Sequence, residues 1–110
     1  MPRYVLLIPL NYNDKTRVPR KILNRIFDDI FALAGGYRLG SIGRGAYRMA
    51  SGRKQIDVTQ EDWVVVREKD EAALRKMVAG FAKLLDQESV YFERVESTVE
   101  FILPPADEED

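Results

Sequence analysis

The spacing of hydrophobic residues changes several times along the chain, and each change marks an element. Tyr4 to Leu10 is a nearly continuous apolar run, the pattern of a strand that is central in a sheet or buried on both faces. Asn11-Tyr12-Asn13-Asp14-Lys15-Thr16 has turn chemistry and ends it. From Pro19 to Ala34 two adjacent i, i+4 rows appear, Ile22-Ile26-Ile30 and Leu23-Phe27-Phe31, which predict an amphipathic helix facing one core. Thr16 is a candidate cap, Pro19 fits the first turn, and Gly35-Gly36 supplies the stop.

Tyr37 to Met49 reads as a strand rich in glycine, and Ala50-Ser51-Gly52-Arg53 as a turn. Lys54 to Val58 and Trp63 to Arg67 form the returning strand of a long hairpin, with a break expected at Thr59-Gln60-Glu61-Asp62. Asp70 is placed to cap a second helix, and Leu74, Met77, Val78, Phe81, Leu84 and Leu85 carry its apolar face. Ser89 to Arg94 and Thr98 to Leu103 are strand-like.

The order is β-α-β-β-α-β, the ferredoxin-like α+β arrangement, with both helices on one face of a four-stranded antiparallel sheet. Right-handed crossovers then give the strand order 4-1-3-2 with the first strand inside. An extra C-terminal strand is the alternative use of Thr98 to Leu103. Residues 1–103 form the single domain of this reading, and 104–110 an acidic, disordered tail headed by Pro104-Pro105. Tyr91, Val95, Val99 and Phe101 are assigned to the helix-free sheet face, through which a homo-oligomer, a dimer or trimer, is expected.

The 110 residues include no cysteine and no histidine, which excludes disulfides, zinc fingers, iron–sulfur clusters and catalytic schemes built on thiol or imidazole. Lack of cysteine fits the cytoplasm. Val5 to Leu10 is too short to span a bilayer, so no membrane role is expected. The net charge of -1 hides a division: residues 1–56 hold 11 basic and 3 acidic side chains, residues 57–110 hold 6 and 15.

Chemistry concentrates in the Gly-rich hairpin. Glycine lets backbone approach a ligand, and arginine clamps phosphate or carboxylate. Arg38, Arg44, Tyr47, Arg48, Arg53 and Lys54 are therefore the candidate site for an anionic small molecule. A twisted edge strand with solvated arginines explains the same residues without a ligand. The segment is neither a P-loop nor a dinucleotide fingerprint. A second candidate is the polar loop Asn11 to Asp14 with Arg17, Arg20 and Lys21 at the following helix start. Asp28-Asp29 point apart on a helix, while Glu61-Asp62 and Asp57 could collect a magnesium ion with Asp14 in an oligomer. No catalytic residue, metal site or cofactor is assigned.

Gln87-Glu88-Ser89-Val90, followed by Val95, Val99 and Phe101, resembles the ending of a family of small bacterial proteins of unknown function. That resemblance covers roughly the last quarter of the chain and implies no activity. The hairpin from Gly45-Ala46-Tyr47 through Gly52-Arg53-Lys54 to Trp63 is similar to that of the divalent-cation-tolerance and signal-transducer proteins. This implies a ferredoxin-like subunit of a trimer that binds small ligands between subunits. The copper-binding cysteine and histidines have no counterpart here, so copper binding is not implied. The reading is of an oligomeric binding or regulatory module. Nucleic-acid binding by the basic first half and a metal-dependent phosphodiesterase using Asp14 are the alternatives.

Overall fold

The computed structural model describes residues 1–107. Its elements are β1 (Arg3–Pro9), α1 (Arg20–Ala34), β2 (Arg38–Arg48), β3 (Lys54–Val65), a short 3-10 turn (Glu68–Asp70), α2 (Glu71–Leu84) and β4 (Tyr91–Val95). The four strands form one sheet in the order β2-β3-β1-β4, antiparallel at every pairing. This is the expected 4-1-3-2 order, with β1 inside.

Alternation along β1 divides the sheet's two faces. Tyr4, Leu6 and Ile8 are fully enclosed beneath the helices, together with Ile26, Ile30, Leu74 and Leu85. Arg3, Val5, Leu7 and Pro9 point to the helix-free face. In α1, Leu23, Ile26, Phe27 and Ile30 are buried, but Phe31 is 57% exposed. The core stripe is thus narrower than the two rows of the sequence suggest. Gly35 closes α1 in the left-handed conformation, φ 75, its N–H donating to the Phe31 carbonyl.

Four expectations are corrected. β3 runs unbroken, because the backbone of the polar stretch Thr59 to Asp62 pairs with Leu6 to Pro9 of β1 and with β2 on the other side. Sheet pairing overrides local polarity there. Thr16 caps no helix: its N–H and hydroxyl both donate to Asp14 within the loop, and Pro19 occupies the α1 N-cap without a side-chain bond. Asp70 stands at the α2 N-cap but its side chain does not cap; it pairs with Arg67 instead. Finally, Thr98 to Leu103 is no strand of this sheet. β4 ends at Val95, opposite Arg3, the first residue of β1, so the template has run out. Residues 104–107 are exposed and without regular structure; the remaining acidic residues of the tail lie outside the described part.

A charged cluster ties β4 and β1 to the start of α2. The Tyr4 hydroxyl donates to Glu71 at 2.6 Å, and Arg94 donates to Glu71, Glu68 and Glu96, each at 2.6 Å. The bonds from Tyr4 and Arg94 hold the Glu71 carboxyl down at about 2. Burial, then the bond to Glu71, pushes the Tyr4 phenol up to about 12. The opposite case is Asp62, which faces the helices from β3. It is fully buried, neither carboxylate oxygen has a hydrogen-bond partner, and burial pushes its carboxyl up to about 7.

These two acids give opposite pH dependences. Asp62 binds its proton more tightly folded than unfolded, so it stabilises the fold below about pH 4 and loses that contribution as pH rises toward 7. The loss is on the order of 4 kcal/mol. Urea unfolding of the native chain is expected to become easier between pH 4 and 8, and Asp62→Asn to flatten that slope. Glu71 contributes above its unfolded pKa and loses this as pH falls toward 2. Glu71→Gln is expected to lower the melting temperature at pH 6 and to remove part of the acid-induced drop below pH 4, read by circular dichroism.

Candidate functional site

β1 pairs only with Thr59 to Val65 of β3. The rest of the β2–β3 hairpin, from about Arg44 to Val58, projects as a two-stranded ribbon. Such a ribbon is marginal by itself, and three contacts steady it. Leu10 N–H donates to the Val58 carbonyl at 2.9 Å, Lys15 Nζ to the Ile56 carbonyl at 2.8 Å, and the Ala50 N–H to Glu88 Oε2 at 3.1 Å. At the tip, Gly52 has φ 88, a conformation that favours glycine.

Where the ribbon leaves the body, the helix-free face holds a cleft of about 320 Å³. Leu7 and Pro9 form its floor, Tyr47, Asp57 and Thr59 come from the hairpin, and Ser89 to Tyr91 close the far wall. Register explains the grouping: Tyr91 lies opposite Leu7, Pro9 opposite Thr59, and Gly45 opposite Asp57, all on one face. The Tyr47 hydroxyl is buried and has no hydrogen-bond partner. Burial first, then the charges of Asp57 and Glu88, raises its phenol above the ordinary range. Asp57 Oδ1 accepts a bond from Gln55 Nε2 at 3.3 Å. The cleft thus offers two tyrosines, an apolar floor, an acceptor carboxylate and an unused hydroxyl.

The structure divides the six residues singled out in the sequence. Tyr47 lines the cleft. Arg48 and Lys54 face each other across the hairpin and line an adjoining 240 Å³ hollow with Ala46, Tyr47 and Gly52. Arg53 is exposed in the turn beside them. Arg44 lies opposite Val58, about 13 Å back along the strand. Arg38 is at the other end of β2, about 33 Å from Arg48, with its guanidinium 5.5 Å from the Trp63 ring, which Arg3 also covers at 4.4 Å. Among the described residues, Arg44, Arg48, Arg53 and Lys54 make no ion pair.

Sequence reasoning missed Asp57, Thr59 and Tyr91 as partners of Tyr47. Alternation alone puts Asp57 and Thr59 on one face, but only the register with Gly45 brings them to Tyr47. Within one subunit, the described acids considered for magnesium do not gather. Asp14 bonds Thr16, Glu61 accepts from the Trp63 indole, and Asp62 points into the core. The second candidate loop is tightly folded, bridging Asn11 to Arg17, and Arg17 and Arg20 border a separate groove of about 560 Å³ against Ile42 and Gln60. No described helix is long and apolar enough to cross a membrane.

No family model and no curated protein matches the chain. Solved structures do. A phage SAM lyase in complex with S-methyl-5'-thioadenosine superposes with a TM-score of 0.65 at 18% identity, covering 86% of this chain and 80% of the other. A phage SAM lyase in the apo state gives 0.61 at 16% identity over 93% and 92% of the two chains. A DUF3240 family protein from Shewanella baltica gives 0.56 at 18% identity over 94% and 97%. At these identities the likeness is one of fold. The chain shares a small α+β architecture with proteins that include a ligand-binding lyase and a member of a family of unknown function.

Proposed function

We propose that this protein is a small-molecule-binding module whose ligand occupies the cleft beside Tyr47. The ligand class is a nucleoside or nucleotide. The observation that carries this reading is the buried Tyr47 hydroxyl without a partner, set in the wall of a roughly 320 Å³ cleft. Buried polar atoms are nearly always bonded, and an orphan beside a cavity suits a ligand's donor or acceptor. Tyr47 and Tyr91 present rings to a flat heterocycle, and Asp57 and Thr59 present oxygens to ribose hydroxyls or an exocyclic amine. Arg48 and Lys54 stand on the ribbon's other face, around its edge from Tyr47, where they suit a phosphate or carboxylate that extends past Tyr47 from the same ligand. This keeps the anion preference for the tip residues and gives the ring an apolar seat that arginines alone do not supply. S-methyl-5'-thioadenosine bound to the structural neighbour supports the choice of nucleosides as the first ligands to try.

Isothermal titration calorimetry with S-methyl-5'-thioadenosine and ATP tests the reading. Binding of at least one is expected. Tyr47→Phe is expected to weaken it up to about tenfold, the worth of one hydrogen bond. Arg48→Ala with Lys54→Ala is expected to weaken ATP more than the uncharged nucleoside. Absence of binding by both ligands, or affinities that none of these substitutions changes, refutes the assignment. Incubation with S-adenosylmethionine and chromatography of the products separates binding from turnover; unchanged ligand is expected.

A further inference from the structure

β2 is an edge strand, bonded to β3 on one side only. From Ile42 to Arg48 its side chains alternate strictly. Ile42, Arg44, Ala46 and Arg48 share one face, and Gly43, Gly45 and Tyr47 the other. A Cβ on Gly43 or Gly45 would meet nothing within 4 Å, so the space above both glycines is open.

The segment after β4 has the complementary pattern. Phe101, Ile102 and Leu103 are 76%, 83% and 80% exposed, an apolar run with no role in its own subunit. Glu96 and Glu100 precede them at alternating positions. In an antiparallel alignment with Glu100 opposite Arg44, Glu96 falls opposite Arg48 and Ile102 opposite Ile42. On the other face Val99 and Phe101 fall opposite Gly45 and Gly43. Opposite charges meet, aliphatic meets aliphatic, and an aromatic ring covers a cross-strand glycine. A slip of one residue either way would set Glu100 against a glycine and take Phe101 off Gly43, so the register is specified. Pro104-Pro105, lacking N–H groups, end the segment beside the point where β2's own ladder is interrupted, between Leu39 and Ile42.

The segment's own subunit cannot make this pairing. Val95 lies opposite Arg3, at the Arg38 end of the sheet and on its far edge. Arg48 is about 33 Å along the strand from that end, and β2 about 14 Å across three strand spacings. Glu96, the next residue after Val95, cannot reach it.

We propose that residues 96–103 of a second copy of this chain add to the free edge of β2 as an antiparallel strand. The second copy supplies what each surface lacks within its own subunit: a partner for an open edge carrying arginines, and a cover for an exposed apolar run flanked by acids. Glu96 keeps Arg94 in its own chain, so Glu100 with Arg44 is the pair that selects the register.

Sedimentation velocity and native mass spectrometry of the full chain test this. A defined oligomer is expected. Phe101→Asp and Arg44→Glu, both at exposed positions, are each expected to weaken association by roughly tenfold or more, with circular dichroism unchanged. Arg44→Glu combined with Glu100→Arg is expected to restore it. The chain has no cysteine of its own, so mixing Gly45→Cys protein with Val99→Cys protein and oxidising is expected to cross-link the two kinds of chain. A monomeric full chain, or an oligomer indifferent to these substitutions, overturns the proposal.

Discussion

The structure depends on β1 lying between two other strands with one whole face sealed under the helices. Tyr4, Leu6 and Ile8 are each without solvent exposure. Burial of three large side chains in a row contributes several kcal/mol in total. It also fixes the register of both neighbours, because a one-residue slip would turn these side chains to the open face. The Tyr4 hydroxyl extends the same constraint to α2 through Glu71, and Arg94 of β4 joins the same carboxylate. One carboxylate thereby links the central strand, the edge strand and the second helix.

A consequence of that short central strand is the projecting ribbon. β1 has 7 residues and β3 has 12, so the distal part of the hairpin has no third strand beside it. The cleft forms at this transition, where a supported sheet gives way to a ribbon. The cleft at this step is walled by β1 residues on one side and by the hairpin on the other. Asp62 shows the cost of the tight interior: an acid fully enclosed with no partner destabilises the fold whenever it is ionised.

Local signals were enough for much of the fold. The unbroken run Tyr4 to Leu10 marked the inner strand, the spacing of Leu23, Ile26, Phe27 and Ile30 marked the first helix, and element order gave the topology. They failed where pairing decides conformation. Thr59 to Asp62 looks like an interruption by composition, yet it is strand because backbone groups on both sides need partners. Thr98 to Leu103 looks like a strand, yet within the subunit it pairs with no other strand. Tyr47 stood out among glycines and arginines, but its neighbours in the cleft come from three other parts of the chain.

What the sequence determined by itself was the periodicity of each element, the absence of thiol and imidazole chemistry, and the order of strands and helices. These follow from local sterics and from the need to bury apolar stripes. Only the tertiary structure decided which side chains meet. It separated Arg38 from Arg48 by the length of a strand, set Asp57 and Thr59 beside Tyr47, and sent Asp62 inward and Glu61 outward. Those outcomes rest on register and strand length, which couple residues far apart in sequence and leave no mark in any single window of it.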